Sequence, residues 1–163
     1  MYLNIITLNI PFPPNYGGMI DTYYRIKTLH RLGVRIHLHC FEYGLAHPPE
    51  LESICQSVSY YKRKSGLIYQ LSLIPYIVIT RKSKQLLERL LENNFPILFD
   101  GLHSTFYLNH PALASRMKLV RTHNIEHYYY SSLFLLPDTY ADKDIYVISY
   151  HCLIHTAGAD IPF

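Results

Sequence analysis

Short apolar runs alternate with amphipathic stretches along most of the chain. Apolar runs of this length that are bounded by Pro, Gly or Asn are typical of buried β-strands. They predict five strands, at residues 3–10, 34–41, 58–61, 95–100 and 117–122. The second run also alternates apolar and polar residues, which favours a strand with two different faces.

Between these runs the apolar residues adopt helical spacing. A helix is predicted over residues 19–32, where Gly33 supplies a stop signal. A second helix is predicted over 83–93, because four leucines form one face of it, and a short third helix over 109–115. Residues 67–79 are apolar but fit neither period, so their structure stays open.

Alternating strands and helices predict an α/β fold: a doubly wound, mostly parallel Rossmann-like sheet flanked by helices. The expected strand order is 3-2-1-4-5, in which strands one and four meet where the order reverses. The pattern fades after Pro137. We therefore assign residues 1–137 to one Rossmann-like domain and treat residues 138–163 as a tail of uncertain structure.

Composition narrows the class of protein. Hydrophobic residues make up 49% and charged residues 17% of 163 residues, as in a folded globular domain. The formal net charge of +3, without a dense Lys/Arg stripe, argues against nucleic acid as a partner. Three scattered cysteines without a CxxC spacing favour a reducing cytoplasm over a disulfide framework.

Neither a signal peptide nor a membrane-spanning helix is expected. The apolar N-terminus has no basic segment before it, and the longest apolar stretch, residues 67–80, is too short to span a bilayer. That stretch is bracketed by Lys62, Arg63 and Lys64 on one side and by Arg81, Lys82 and Lys84 on the other. The bracketed segment is either a peripheral contact for an anionic membrane or a core helix with ordinary solvated ends.

Polar residues follow three of the predicted strands at their carboxyl ends, where ligands bind in open parallel sheets. Asn15, Tyr16, Gly17 and Gly18 follow strand one, Asp100 and His103 lie at the end of strand four, and His123, Asn124 and Glu126 follow strand five. The expected strand order brings all three clusters to one crevice.

Gly17 and Gly18 immediately precede the first helix, so backbone N–H groups and the positive end of the helix dipole can face a phosphate or carboxylate. Paired glycines also permit close approach and a positive φ. The pair matches neither the Walker A nor the GxGxxG pattern. The alternative that it is only a turn stays open.

His123 can exchange a proton near neutral pH, which suits contact with a sugar hydroxyl or a leaving phosphate. Glu126 can orient His123, or it can be a first-turn carboxylate stabilised by a helix dipole. His103 and Asp100 have the same functional and structural alternatives, and for Asp100 the structural one is favoured. The ten His and three Cys show no recognisable zinc spacing, and no carboxylate-rich cluster suggests magnesium, so no metal is expected.

Two segments together resemble a known family. Residues 11–26, with a Pro-rich turn, paired glycines and the start of a helix, are similar to the opening of bacterial GT-B glycosyltransferases of retaining family 4. Residues 27–34 resemble that family's passage from the first helix into strand two. Residues 121–127, Arg-Thr-His-Asn-Ile-Glu-His, resemble its strand-five loop. The likeness extends over roughly residues 1–135.

The resemblance implies half of a GT-B fold, the domain that holds the sugar acceptor. The transfer it implies moves a sugar from a nucleotide sugar with retention, without a metal or another cofactor. Gly17 and Gly18 would be the loop glycines near the donor phosphates, and His123 the histidine in the cleft. Asn15, Tyr16, His103, Asn124 and Glu126 would then contact substrate.

The family's second Rossmann domain, which holds the donor, has no counterpart in these 163 residues. We therefore expect a truncated, split or frameshifted product or a fragment that is inactive alone, with homodimer formation through its exposed face. Two alternatives stay open, a non-catalytic binding module derived from such a domain and a flavodoxin-like nucleotide binder.

Overall fold

The computed structural model describes residues 1–42 and 47–122. Its five strands form one parallel sheet in the order β3-β2-β1-β4-β5. They are β1 (Tyr2–Thr7), β2 (Arg35–Glu42), β3 (Ser57–Lys62), β4 (Ile97–Asp100) and β5 (Lys118–Arg121). The predicted α/β fold and strand order are confirmed. The proposed domain boundary at residue 137 lies outside the described residues.

Helices and 3₁₀ segments connect the strands. The α-helices are α1 (Gly17–Arg31), α2 (Pro49–Ile54), α3 (Tyr76–Ile79) and α4 (Lys84–Leu91). Three 3₁₀ segments span Leu67–Leu71, Leu102–Tyr107 and Pro111–Leu113. The ambiguous run 67–79 is thus a 3₁₀ segment followed by a single helical turn.

Neighbouring residues on β1 and on β4 pack into different layers, so these strands are covered on both faces. Ile5 and Leu98 belong to a core shared with Ile26 of α1 and Leu51 of α2. Ile6 and Phe99 instead join a second core, with leucines of α4 and with Tyr107 and Leu113 of the 3₁₀ segments. Alternation along the strands therefore produces the doubly wound arrangement.

Three details differ from the predictions. β1 ends at Thr7, whose hydroxyl donates to the Asn9 carbonyl at 2.8 Å, while Ile10 is buried after the chain has left the sheet. The six-residue α2 was not predicted, because only Leu51 of its residues is fully buried and no helical period is visible. The predicted helix at 109–115 is only the 3₁₀ segment Pro111–Leu113.

His39 of β2 lies in the middle of the sheet and is 4% exposed. One ring nitrogen, Nε2, is 3.1 Å from Asn4 Oδ1, and Nδ1 is 2.8 Å from the Tyr61 hydroxyl. A neutral ring satisfies both contacts, since Nε2–H donates to the amide oxygen and Nδ1 accepts from the phenol. Burial, followed by the nearby His37, lowers the pKa of His39 to about 3.

Candidate functional site at the carboxyl edge of the sheet

The segment Asn15, Tyr16, Gly17 and Gly18, here called the glycine turn, follows β1 and leads into α1. All four residues are exposed. The Asn15 amide donates to the Pro13 carbonyl at 2.9 Å, and the Asn9 side chain donates to the Tyr16 hydroxyl at 3.2 Å. These bonds hold the turn in place while leaving its outer surface open to solvent.

The fold itself does not require glycine at positions 17 and 18. Neither residue has a positive φ, so the backbone there does not use the left-handed conformation that glycine permits. A Cβ added at either position would meet nothing within 4 Å. Glycine is a poor helix former, and both residues lie in the first turn of α1. The pair therefore weakens the helix without relieving any backbone strain or steric crowding.

The amino end of α1 is open to an anion. The N-cap residue that precedes the helix, Tyr16, makes no side-chain capping bond, and the first turn contains no acidic residue. The first backbone N–H groups of a helix lack intrahelical partners, and they carry the positive end of the helix dipole. An acceptor oxygen of a ligand can approach them closely because Gly17 and Gly18 present no side chain.

Asp100 joins α1 to the end of β4 through a buried network. It is 1% exposed, and its Oδ2 accepts a 2.6 Å hydrogen bond from Thr22. Its Oδ1 accepts a 2.5 Å bond from Arg25 Nη1. Arg25 and Arg121 both form ion pairs with Asp21, and Arg121 Nη1 lies 3.8 Å from Asp100 Oδ1. These five residues are called the Asp100 network below.

Strand register explains why these residues meet. Thr7 pairs with Asp100, and Asp100 pairs with Arg121, so β1, β4 and β5 end at the same level. Asp21 and Thr22 lie in the second turn of α1, just after the glycine turn. The network therefore fixes the start of α1 against the ends of β4 and β5.

The site residues predicted from sequence divide into three groups. The four residues of the glycine turn share the carboxyl edge with the end of β5. His103 lies half-buried on the 3₁₀ segment that follows Gly101, whose φ of 93° requires glycine. His123, Asn124 and Glu126 lie outside the described residues, which end at the exposed Thr122. Their roles stay predictions.

Sequence reasoning missed Thr22 and Arg25 as members of the site. Met19, Thr22 and Ile26 are the buried residues of α1. A hydroxyl on the buried face of a helix, between two apolar residues, needs a buried polar partner. That signal was available in the spacing, but the partner's identity depended on the strand register.

Arg81 occupies an unexpected place at the same edge. The sequence suggested a surface cation, yet Arg81 is 2% exposed. Its Nε donates to the Leu8 carbonyl at 3.3 Å and its Nη1 to the Ile77 carbonyl at 2.5 Å. Burial, followed by the nearby Arg63, lowers the pKa of Arg81 to about 9. Arg81 ties the chain after β1 to α3.

The described residues bring no three His, Cys, Asp or Glu side chains together in a way that could hold a metal ion. What the described residues of the site do offer is the open N–H groups at the start of α1 beside the Asp100 network. Such an edge suits the binding of an anionic group, and phosphate is the group that helix amino ends bind most commonly.

Comparison with known proteins gives a distant relative. The chain is 28% identical over 137 residues to an uncharacterized 44.6 kDa protein in the cps region of Klebsiella pneumoniae. The match covers 80% of this chain and 35% of that protein, so the chain spans about a third of its relative's length. No protein-family model matches the chain. No solved structure matches it either.

Proposed function

We propose that the chain is the acceptor-binding domain of a glycosyltransferase that moves a sugar from a nucleotide sugar to a glycan or lipid-linked acceptor. The observation that carries the proposal is the glycine turn, where two glycines stand at an open helix end although the fold needs neither. Local choices that weaken a fold without a structural reason are concentrated at functional sites. Close approach of a donor diphosphate to the backbone explains the pair.

The distant relative supports the same chemistry. That protein lies in a cps, or capsule, region, and capsules are polysaccharides made by sugar transfer. Its greater length leaves room for a donor-binding domain. We therefore propose a role in polysaccharide biosynthesis, in the cytoplasm and at the inner membrane face where the acceptor is lipid-linked.

In the proposed reaction the bond between the anomeric carbon and the diphosphate oxygen breaks, and a bond from that carbon to an acceptor hydroxyl oxygen forms. The diphosphate leaves with the bonding electron pair, and its charge faces the N–H groups of the glycine turn. The departing diphosphate oxygen accepts the proton of the acceptor hydroxyl as the new bond forms. His123 is proposed to contact the transferred sugar in the cleft.

The glycine turn gives a direct test. Gly18→Ala should leave the free energy of unfolding unchanged or raise it by about 0.5–1 kcal/mol, because alanine favours the helix and meets open space. The same change should weaken binding of inorganic pyrophosphate, which stands for the diphosphate that faces this turn, by about tenfold, since a methyl group then blocks the backbone. Absence of pyrophosphate binding by the wild type would contradict the proposal. Isothermal titration and urea denaturation measure the two effects.

Gly33→Ala is the matched control, because Gly33 ends α1 with a φ of 79° and also meets open space. It should cost about 1–2 kcal/mol of stability and leave ligand binding intact. A Gly18→Ala protein that loses stability and keeps its affinity would show that the glycines serve only the turn. Tight binding of flavin mononucleotide would instead favour the flavodoxin-like alternative.

A further inference from the structure

Three large apolar side chains project from the 3₁₀ segment Leu67–Leu71. Leu67, Ile68 and Leu71 are 78%, 75% and 88% exposed, and no residue of this segment is buried. Single exposed leucines are common on protein surfaces. Three within five residues instead concentrate exposed apolar surface in one short segment, and such a concentration is typical of an interaction surface. We call these three residues the apolar tip.

The tip stands on a fixed base. The Lys64 amide donates to the Thr80 carbonyl at 2.9 Å, and Arg63 Nε donates to the Thr80 hydroxyl at 3.0 Å. These bonds close residues 64–80 into a loop whose two ends lie side by side, here called the excursion. Pro75 and Val78 are buried within it. The apolar run is therefore divided, with its second half packed inward and its first half exposed.

Positive charge is concentrated around the same excursion. Residues 62–84 contain six of the fifteen Lys and Arg of the chain and none of its twelve Asp and Glu. The other 140 residues carry nine basic against twelve acidic residues, so their balance is negative. Arg81 is buried, but Lys62, Lys64, Lys82 and Lys84 are exposed. The excursion and its flanking residues thus carry a net positive charge, whereas the rest of the chain carries a net negative charge.

We infer that this excursion docks the protein on the surface of an anionic lipid bilayer. Interfacial binding has two requirements: apolar side chains that enter the headgroup boundary, and cationic side chains beside them that face anionic lipids. An acidic protein surface would form ion pairs with the lysines but would offer no apolar contact to the apolar tip. Among residues 1–42 and 47–122, no helix is long and apolar enough to cross a membrane.

The docking surface and the candidate site share one edge of the sheet. The excursion follows β3, which ends at Lys62. Arg81, directly after the excursion, donates a hydrogen bond to the Leu8 carbonyl just beyond β1. Docking would therefore hold the carboxyl edge, with its glycine turn, near the lipid surface. The inference rests on exposure and charge alone and stands whether or not the chain takes part in sugar transfer.

Vesicle co-sedimentation tests the inference with the full chain. Wild-type protein should bind vesicles of phosphatidylglycerol and phosphatidylcholine and should bind pure phosphatidylcholine at least tenfold more weakly. The double variants Leu67→Ser/Leu71→Ser and Lys64→Glu/Lys82→Glu should each weaken binding to the anionic vesicles by about tenfold or more. Leu32→Ser is the matched control, because Leu32 is 74% exposed at the carboxyl end of α1. This variant should bind vesicles like the wild type.

Circular dichroism should show all four proteins equally folded, since the substituted side chains are exposed. Equal binding to both vesicle types, or unchanged binding by Leu67→Ser/Leu71→Ser, would overturn the inference. The inference would also be overturned if the wild type did not bind vesicles but formed a dimer in sedimentation velocity, and if Leu67→Ser/Leu71→Ser were monomeric. The tip would then be an interface between two copies of the chain.

Discussion

Replacing Asp100 with Ala should lower the free energy of unfolding by about 3 kcal/mol, the lower end of the range for breaking a buried ion pair. The variant leaves the partly buried Arg25 guanidinium and the buried Thr22 hydroxyl without their Asp100 partner. We expect the lower end because Arg25 and Arg121 both retain Asp21. Urea denaturation monitored by circular dichroism measures the loss.

Two variants sharpen this measurement. Asp100→Asn keeps an oxygen that can accept from Thr22 but removes the charge, so it should fall between wild type and Asp100→Ala. Glu88→Ala breaks the exposed Lys84–Glu88 pair, whose nitrogen and oxygen are 3.4 Å apart, and should cost less than about 1 kcal/mol. If Asp100→Ala and Glu88→Ala cost the same, the Asp100 network does not anchor α1.

The sequence predicted the centre of the sheet well because β1 and β4 are short, mostly apolar runs that are covered on both faces. β4 is buried at all four positions, and β1 at all but Tyr2, so most side chains along both strands are apolar. The same reasoning failed for α2 and the 3₁₀ segments, which bury one to three residues each or, at Leu67–Leu71, none. Segments that short complete too few turns to show a helical period.

The candidate site was predictable in position but not in its contacts. Parallel strands end at one edge, so the glycine turn and the end of β5 had to share it. The pairing of Asp100 with Thr22 and Arg25 depended on the strand register and on the rotation of α1, which no local pattern specifies. Arg81 shows the same limit: its charge suggested the surface, but carbonyl oxygens of Leu8 and Ile77 hold it inside.

The buried His39 should make the free energy of unfolding depend on pH below about 7. Its pKa is about 3 in the folded protein and about 6.5 when unfolded. As the pH falls below about 6.5, the unfolded chain therefore binds a proton at this position while the folded protein does not. Stability is lost as the pH falls from about 7 toward 3, and His39 should account for about 2 kcal/mol of the loss by pH 5.

His39→Gln isolates this contribution, because the other nine histidines are the same in both proteins. The variant loses the hydrogen bonds of the imidazole ring to Asn4 and Tyr61, so its free energy of unfolding at pH 7 is expected to be lower. The informative quantity is the change between pH 7 and pH 5, measured by urea denaturation at both values. That change should be about 2 kcal/mol smaller in the variant than in the wild type. Equal changes in the two proteins would mean that His39 takes up a proton in the folded state as readily as in the unfolded one, and hence that the sheet admits a charged ring between β1 and β3.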